Sequence, residues 1–291
     1  MKPALDSEIH RLLDEGLKSL EEHFNTDILT YHGPFEGGYE TAFLKIVEDI
    51  AFDKEKKEAI NIVLTTGGGS ASVVERFVNI LRKHYGEVNF IVPDYAYSAG
   101  TIFCMSGDSI LMDYFSVLGP IDPQVQNKEG KWVAALGYLD KINELIVKAQ
   151  DNTLTEAEFI ILKDFDLAEL RGYEQAKDLT IALLEKWLVK YKFKNWDKHR
   201  TNANLKGQEV TDDQKIERAK EIADALSDNN RWKSHGRPID IEALRELRLE
   251  VDDYSENSTR RKLIRDYYEL VSDYVINKGY RIFIQTRKFI V

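Results

Sequence analysis

Residues 95–122, YAYSAGTIFCMSGDSILMDYFSVLGPID, decide how this chain is read. Tyr97-Ser98-Ala99-Gly100 is a small-residue turn that leads into the apolar run Thr101 to Met105. Strand, sharp turn and helix in that order put a serine on a strained corner with its hydroxyl exposed. They also set it at a helix N-terminus, where free backbone N–H groups and the dipole favour negative charge. Ser-Ala-Gly turns are common, so the tetrapeptide takes its meaning from its surroundings.

Just upstream, Ala59 to Leu64 is a β-branched run of the kind that fits a buried parallel strand. Thr65-Thr66-Gly67-Gly68-Gly69-Ser70 follows at once, then a helical pattern from about Ala71 to His84. Val88 to Val92 and Ser109 to Met112 read as further strands. Alternating strands and helices imply βαβ units and a parallel sheet covered by helices. Two glycine-rich turns then meet at the carboxyl ends of the strands, where ligands bind in open α/β sheets. The triple glycine lacks the lysine of a phosphate loop and does not match G-x-G-x-x-G, which argues against a nucleotide. Three glycines let the backbone approach another group closely, with an N–H aimed into a cleft. Opposite a serine hydroxyl, that N–H is half of an oxyanion hole, and the N–H of Ala99 is the natural other half. Two tight turns with nothing bound remain the alternative.

Farther out, Leu5, Ile9, Leu12, Leu13, Leu17 and Leu20 recur at helical spacing, extended by Phe24. This first helix could pack on its own domain or on a partner subunit. Ile28 to Tyr31 is a short strand ended by His32-Gly33-Pro34, and Tyr39 to Phe52 a helix. Helical patterns dominate from Trp132 onward, with Thr153 to about Tyr191 interrupted at most once, near Gly172. Asn195 to Gly207 reads as a linker. Thr211-Asp-Asp-Gln214 has capping-box spacing. Asp240 caps a short helix, and another runs from about Asn257 to Asn277. The tail, Tyr280 to Val291, alternates like a strand that seeks a sheet edge, its own or a neighbour's. The expected organisation is an N-terminal helix over 1–24, an α/β core over 25–150, and a mostly helical extension over 151–291 that ends in a strand.

A net charge of −10 argues against a nucleic-acid surface as the main function. The single cysteine, Cys104, permits no intrachain disulfide, fits a reducing compartment, and reads as a core residue. The charged N-terminus does not read as a signal peptide, so none is expected, and no window approaches the ~18 apolar residues of a membrane span. A soluble cytoplasmic protein without an integral membrane segment is expected. No cluster has metal-ligand spacing, so no metal or other cofactor is expected.

Three motifs in this chain resemble one family. Ile62 to Ser70 resembles the N-S-P-G-G-S segment of the Clp-protease/crotonase superfamily, and Tyr97-Ser98-Ala99-Gly100 the nucleophile turn of its serine peptidases. Leu118-Gly119-Pro120-Ile121-Asp122-Pro123-Gln124 resembles the signature of the serine dehydrogenase proteinase family, related to signal peptide peptidase A. Ser234 to Ile239 is similar to an H-x-x-P-I element of that family's C-terminal part. One departure is Gly67, which stands where the superfamily usually has proline.

The resemblance implies a Clp/crotonase-like α/β fold and an ATP-independent serine peptidase that acts on peptides or proteins as a homo-oligomer. It implies Ser98 as nucleophile and a hole from the N–H groups of Gly68 and Ala99, with Gly69 beside the substrate. A serine hydroxyl needs a base. A Clp-type histidine would fall in Ile121-Asp122-Pro123, where none stands. The signal-peptide-peptidase branch uses a desolvated lysine instead. Lys141, with Leu139, Ile142 and Leu145 as apolar neighbours, is the expected partner in a Ser-Lys dyad; a solvated lysine is the alternative. Lys128 and Lys131 lie in a polar turn and are poorer choices. His235 is the second base candidate, with a structural role as its rival. Asp122 could orient a base or cap a turn. Two rival functions stay open: acyl-CoA chemistry of the crotonase type, and a non-enzymatic scaffold that binds peptides or partners.

Overall fold

The computed structural model describes residues 3–122, 124–126, 132–200 and 204–290. Pro3–Phe24 forms α1 and buries Leu13, Leu17 and Leu20. Asp27–His32 is β1, Glu40–Ala51 is α2, and Ala59–Thr65 is β2. Ala71–His84 is α3, capped by the Ser70 hydroxyl, which accepts from Val73 N–H. Glu87–Ile91 is β3, Tyr95–Ala96 is β4, Ala99–Met105 is α4 and Ser109–Met112 is β5. Val117–Leu118 is β6, and Gln124–Gln126 pairs as β7 with Trp132–Ala134, β8. The helical pattern expected from Trp132 thus begins one strand later, with α5 at Ala135–Gln150.

Glu156–Lys163 is α6 and Leu167–Trp187 is α7. The break between them falls at 164–166 rather than at Gly172, which lies inside α7. Its cause is Asp166, whose carboxylate accepts from Ala168 and Glu169 N–H and so starts a new helix. A π turn, Leu188–Lys192, ends α7. Asp212–Ser227, α8, opens with the Thr211/Gln214 capping box. Asn229–Trp232 is α9, and Ile241–Glu246 is α10, capped by Asp240. Asp252–Asp253 is β9, Ser258–Lys278 is α11 behind its Asn257 cap, and Phe283–Thr286 and Phe289–Ile290 are β10 and β11.

The main sheet has the order β11-β10-β1-β2-β3-β5-β9. β1, β2, β3, β5 and β9 run parallel. β10 lies antiparallel on β1, so the C-terminal strand takes an edge of its own sheet. Side chains alternate across the strands, so each contributes to two cores. Ile60, Ile62, Leu64 and Phe90 face the layer of α2, α3 and α4, with α7 and α8 packed beyond. Ile28, Val63 and Ile91 face α1 and α11. The first helix therefore spends its apolar stripe on α11 of the same chain. Among the described residues no helix is long and apolar enough to cross a membrane.

Candidate active site

Ser98 stands between β4 and α4 with φ 53 and ψ −115. A non-glycine residue held there costs roughly 1–3 kcal/mol, and such strain collects at functional sites. The surroundings impose it. Thr66 extends β2 and brackets β4, donating to Tyr95 O (3.1 Å) and accepting from Tyr97 N–H (2.9 Å). Tyr97 O accepts from Gly100 N–H at 2.8 Å, which closes the turn. Behind it Thr101 Oγ1 accepts from Gly119 N–H at 3.0 Å and lies 2.9 Å from Ala96 O. The 118–122 signature therefore buttresses the serine turn, and Gly119 is a glycine because the Tyr97 ring lies against it.

Gly68 approaches from β2 with φ 106, and a Cβ built on it would stand 2.9 Å from Ser98 Cβ and 3.0 Å from Tyr97 O. Gly69, also at positive φ, bridges to Phe35. Phe35 N–H donates to Gly68 O (2.8 Å), and Phe35 O accepts from Ser70 N–H (2.9 Å). The glycine run is thus a pinned backbone segment beside Ser98. The N–H of Ala99 has no acceptor among the described residues, as befits the first residue of a helix. The N–H of Gly68 donates to Thr66 Oγ1 at 3.0 Å. The Ser98 hydroxyl has no hydrogen-bond partner among the described residues.

The structure brings Ser98, Ala99, Gly68 and Gly69 together and sets Lys141 in solvent. The Lys141 side chain is 55% exposed, and Nζ lies 3.0 and 2.9 Å from the two Glu144 oxygens. The apolar shield expected for it is absent because Leu136, Ile142 and Leu145 form the buried stripe of α5 and Lys141 projects past its edge. Lys128 and Lys131 lie outside the described residues, as does Pro123 of the signature. His235 is half-buried, its Nδ1 has no hydrogen-bond partner among the described residues, and burial lowers its pKa. Its loop is tied beside the serine turn: Ile239 and Leu118 exchange N–H···O bonds of 2.9 Å, and Leu118 pairs with Ala96.

Asp122 is buried and accepts from Leu136 N–H at 3.3 Å, the turn-capping role, while its Oδ2 has no partner among the described residues. Burial pushes its carboxyl up to about 6. The folded state therefore binds this proton more tightly than the unfolded chain, and its stabilisation is present at low pH and lost as pH rises through about 6. Between about pH 4 and about pH 7, the stability of Asp122→Asn relative to the native protein should move by about 2 kcal/mol in favour of asparagine. Urea denaturation at the two pH values checks this; a pH-independent difference refutes it.

One titratable group escaped the sequence reading. His32 ends β1 at the same carboxyl edge, beside Thr65. Its Nδ1 is buried without a partner among the described residues, and burial lowers its pKa against the opposing pull of Asp94. The readable signal was a histidine closing a parallel strand, a place where side chains meet ligands. Cys104, by contrast, is fully buried in the core and its thiol is pushed up by burial.

A family model described as ClpP-like SDH-type serine proteinase matches residues 44–204. The uncharacterized protein MJ0137 of Methanocaldococcus jannaschii is 30% identical over 197 residues, covering 68% of this chain and 54% of the relative. MJ1495 of the same organism is 28% identical over 193 residues, 66% and 52% of the two chains. The chain thus spans about half the length of the curated relatives it matches. Among solved structures, the 1510-N membrane-bound stomatin-specific protease aligns with a TM-score of 0.44 at 16% identity, over 79% of this chain and 81% of that one.

Proposed function

From the premise that the chain belongs to the ClpP-like SDH-type serine proteinase family, we propose that it is an ATP-independent serine endopeptidase with Ser98 as nucleophile. The observation that carries this reading is the strained Ser98 corner, set against the Gly68 backbone with the Ala99 N–H free. Ser98 Oγ attacks the peptide carbonyl carbon while a base takes the hydroxyl proton. The carbonyl oxygen becomes an oxyanion beside the N–H groups of Ala99 and Gly68. Gly68 then exchanges the Thr66 hydroxyl for that oxyanion, so its bond strengthens only as charge develops. Collapse expels the amine, which takes the proton from the base, and water hydrolyses the acyl-enzyme by the same route in reverse.

His235 is the better base candidate. It is neutral near pH 7, and its loop is anchored to the strand that adjoins β4. Lys141, held by Glu144, would have to leave that carboxylate and enter the site. The homo-oligomer is part of the same reading: α6 has no buried residue and exposes Phe159, Ile160 and Ile161.

Labelling with a fluorophosphonate tests the assignment. Ser98→Ala should remove labelling. His235→Ala should slow it by about 10²-fold or more, and Lys141→Ala should leave the rate within about twofold, as for a surface residue. Slowing in Lys141→Ala alone would return the Ser-Lys dyad. A second reading, a peptide-binding scaffold, is favoured by the unpartnered Ser98 hydroxyl. It prevails if the assembled wild-type protein takes up no label.

A further inference from the structure

At the opposite end of the sheet from Ser98 lies a cavity of about 880 Å³, with Ser109 and Asp252, the first residues of β5 and β9, on its wall. That volume suits a small organic ligand. The π turn at the end of α7 builds its floor. Phe193 N–H reaches back to Leu188 O at 2.8 Å, and this wide turn carries Lys192 into the cavity. Such single π turns recur at functional sites.

Lys192 is served poorly by the protein. Among the described residues its Nζ has one hydrogen-bond acceptor, Asp108 O, at 3.4 Å, and no carboxylate within ion-pair distance. The carboxylate of that same residue is already engaged: Asp108 accepts from Arg82 Nη1 (2.7 Å) and Val88 N–H (2.8 Å) and pairs with Lys194. Burial pulls the Lys192 ammonium down to about 8, against the opposing charges of Asp252, Glu250 and Asp108. A half-buried ammonium with donors left over and an apolar wall beside it is costly to hold unless an acceptor arrives. The walls beside it are apolar and aromatic, with Phe193, Trp196, Leu249 and Val251. Arg245 and Arg248 stand at the rim with no described ion-pair partner, and Arg248 is held at φ 55. Of the acids on the wall, Asp108, Glu221 and Glu250 are paired with Lys194, Arg218 and Arg200, which leaves Glu217 and Asp252 against Lys192, Arg245 and Arg248. The balance is positive, and an anionic head on an apolar body is its complement.

We propose that this cavity is a second, non-catalytic site that binds a small organic anion, with its carboxylate or phosphate on Lys192 Nζ and its flat apolar body against Phe193 and Trp196. The site is independent of Ser98. Neither rim arginine is needed to build the fold, because both side chains are exposed.

Calorimetric titration of the full chain with benzoate, phenyl phosphate and neutral benzamide tests it. At least one anion should bind saturably, with benzamide about tenfold weaker or worse. Which anion binds decides between carboxylate and phosphate. Lys192→Met, which keeps the stem and drops the charge, should weaken anion binding by about tenfold or more, while Lys192→Arg retains it within a few-fold. If Lys192→Met fails to fold, Arg245→Gln/Arg248→Gln gives the readout, with an expected loss of at least about threefold. No anion binding up to about 10 mM, benzamide as tight as benzoate, or binding indifferent to every one of these variants overturns the proposal.

Discussion

Gly68→Ala should silence Ser98 and destabilise the chain by about 2–4 kcal/mol. Two causes act together. The backbone at 68 has φ 106, which an L side chain rarely adopts. A Cβ there would also stand 2.9 Å from Ser98 Cβ, 3.0 Å from Tyr97 O and 3.4 Å from Ala99 N. Two of those three atoms are backbone, and all belong to the corner that presents Ser98. Relief must come from moving the 66–69 segment or the serine turn, and both are pinned, one to Phe35 and the other to Thr66. Either movement separates the N–H groups proposed for the oxyanion. Loss of one such donor alone slows a reaction by about 10²–10³-fold, so labelling should fall at least that far. Gly67→Ala is the matched control. It is exposed, has ordinary φ, and has nothing within 4 Å of an added Cβ. Its stability should stay within about 0.5 kcal/mol of the native protein, and its labelling should persist. Equal behaviour of the two variants would remove Gly68 from the site.

The candidate site was legible in proportion to how local its parts are. Ser98, Ala99 and the glycine run each follow a strand, and strand-turn-helix order is written in a few consecutive residues. The signature at 118–122 could be seen as unusual, but not as the buttress of Tyr97 and Thr101, because that needs two loops in contact. The surroundings of the two base candidates were illegible for a different reason. Lys141 has apolar neighbours in sequence, yet the helix turns about 100° per residue, and the stripe through Leu136, Ile142 and Leu145 leaves the lysine beside Glu144. The loop that carries His235 is tied to the strand beside β4 by the Leu118–Ile239 bridge, a long-range pairing that no periodicity announces. Lys192 passed unremarked because a lysine at a helix end is ordinary; the π turn that aims it inward exists only in three dimensions.

Arg287→Met should cost about 3–5 kcal/mol of stability, because it strips the cation from a buried carboxylate. Arg287 sits in the turn between β10 and β11, with Nη1 2.7 Å from Asp27 Oδ1 and 3.0 Å from Glu21 Oε1. Nη2 reaches Ile50 O at 3.4 Å. Asp27 opens β1 and is fully buried, and its other oxygen accepts from Tyr85 OH at 2.7 Å. One guanidinium thus joins α1, β1, α2 and the C-terminal hairpin at the amino end of the sheet. Burial already pushes the Glu21 carboxyl up against the pull of Arg287. Without the arginine, two carboxylates face each other with the Tyr85 hydroxyl and backbone N–H groups as their remaining donors. The penalty comes from the orphaned charge rather than from lost attraction, which gives the test its second arm. Asp27→Asn/Arg287→Met removes the buried charge along with its partner and should recover about 2 kcal/mol of the loss. Urea denaturation of the native, single and double variants measures both quantities. A single-variant loss under about 1 kcal/mol would mean that Arg287 behaves as a surface residue. A double variant no more stable than the single would mean that the arginine acts by packing the hairpin against α2, and not by neutralising Asp27.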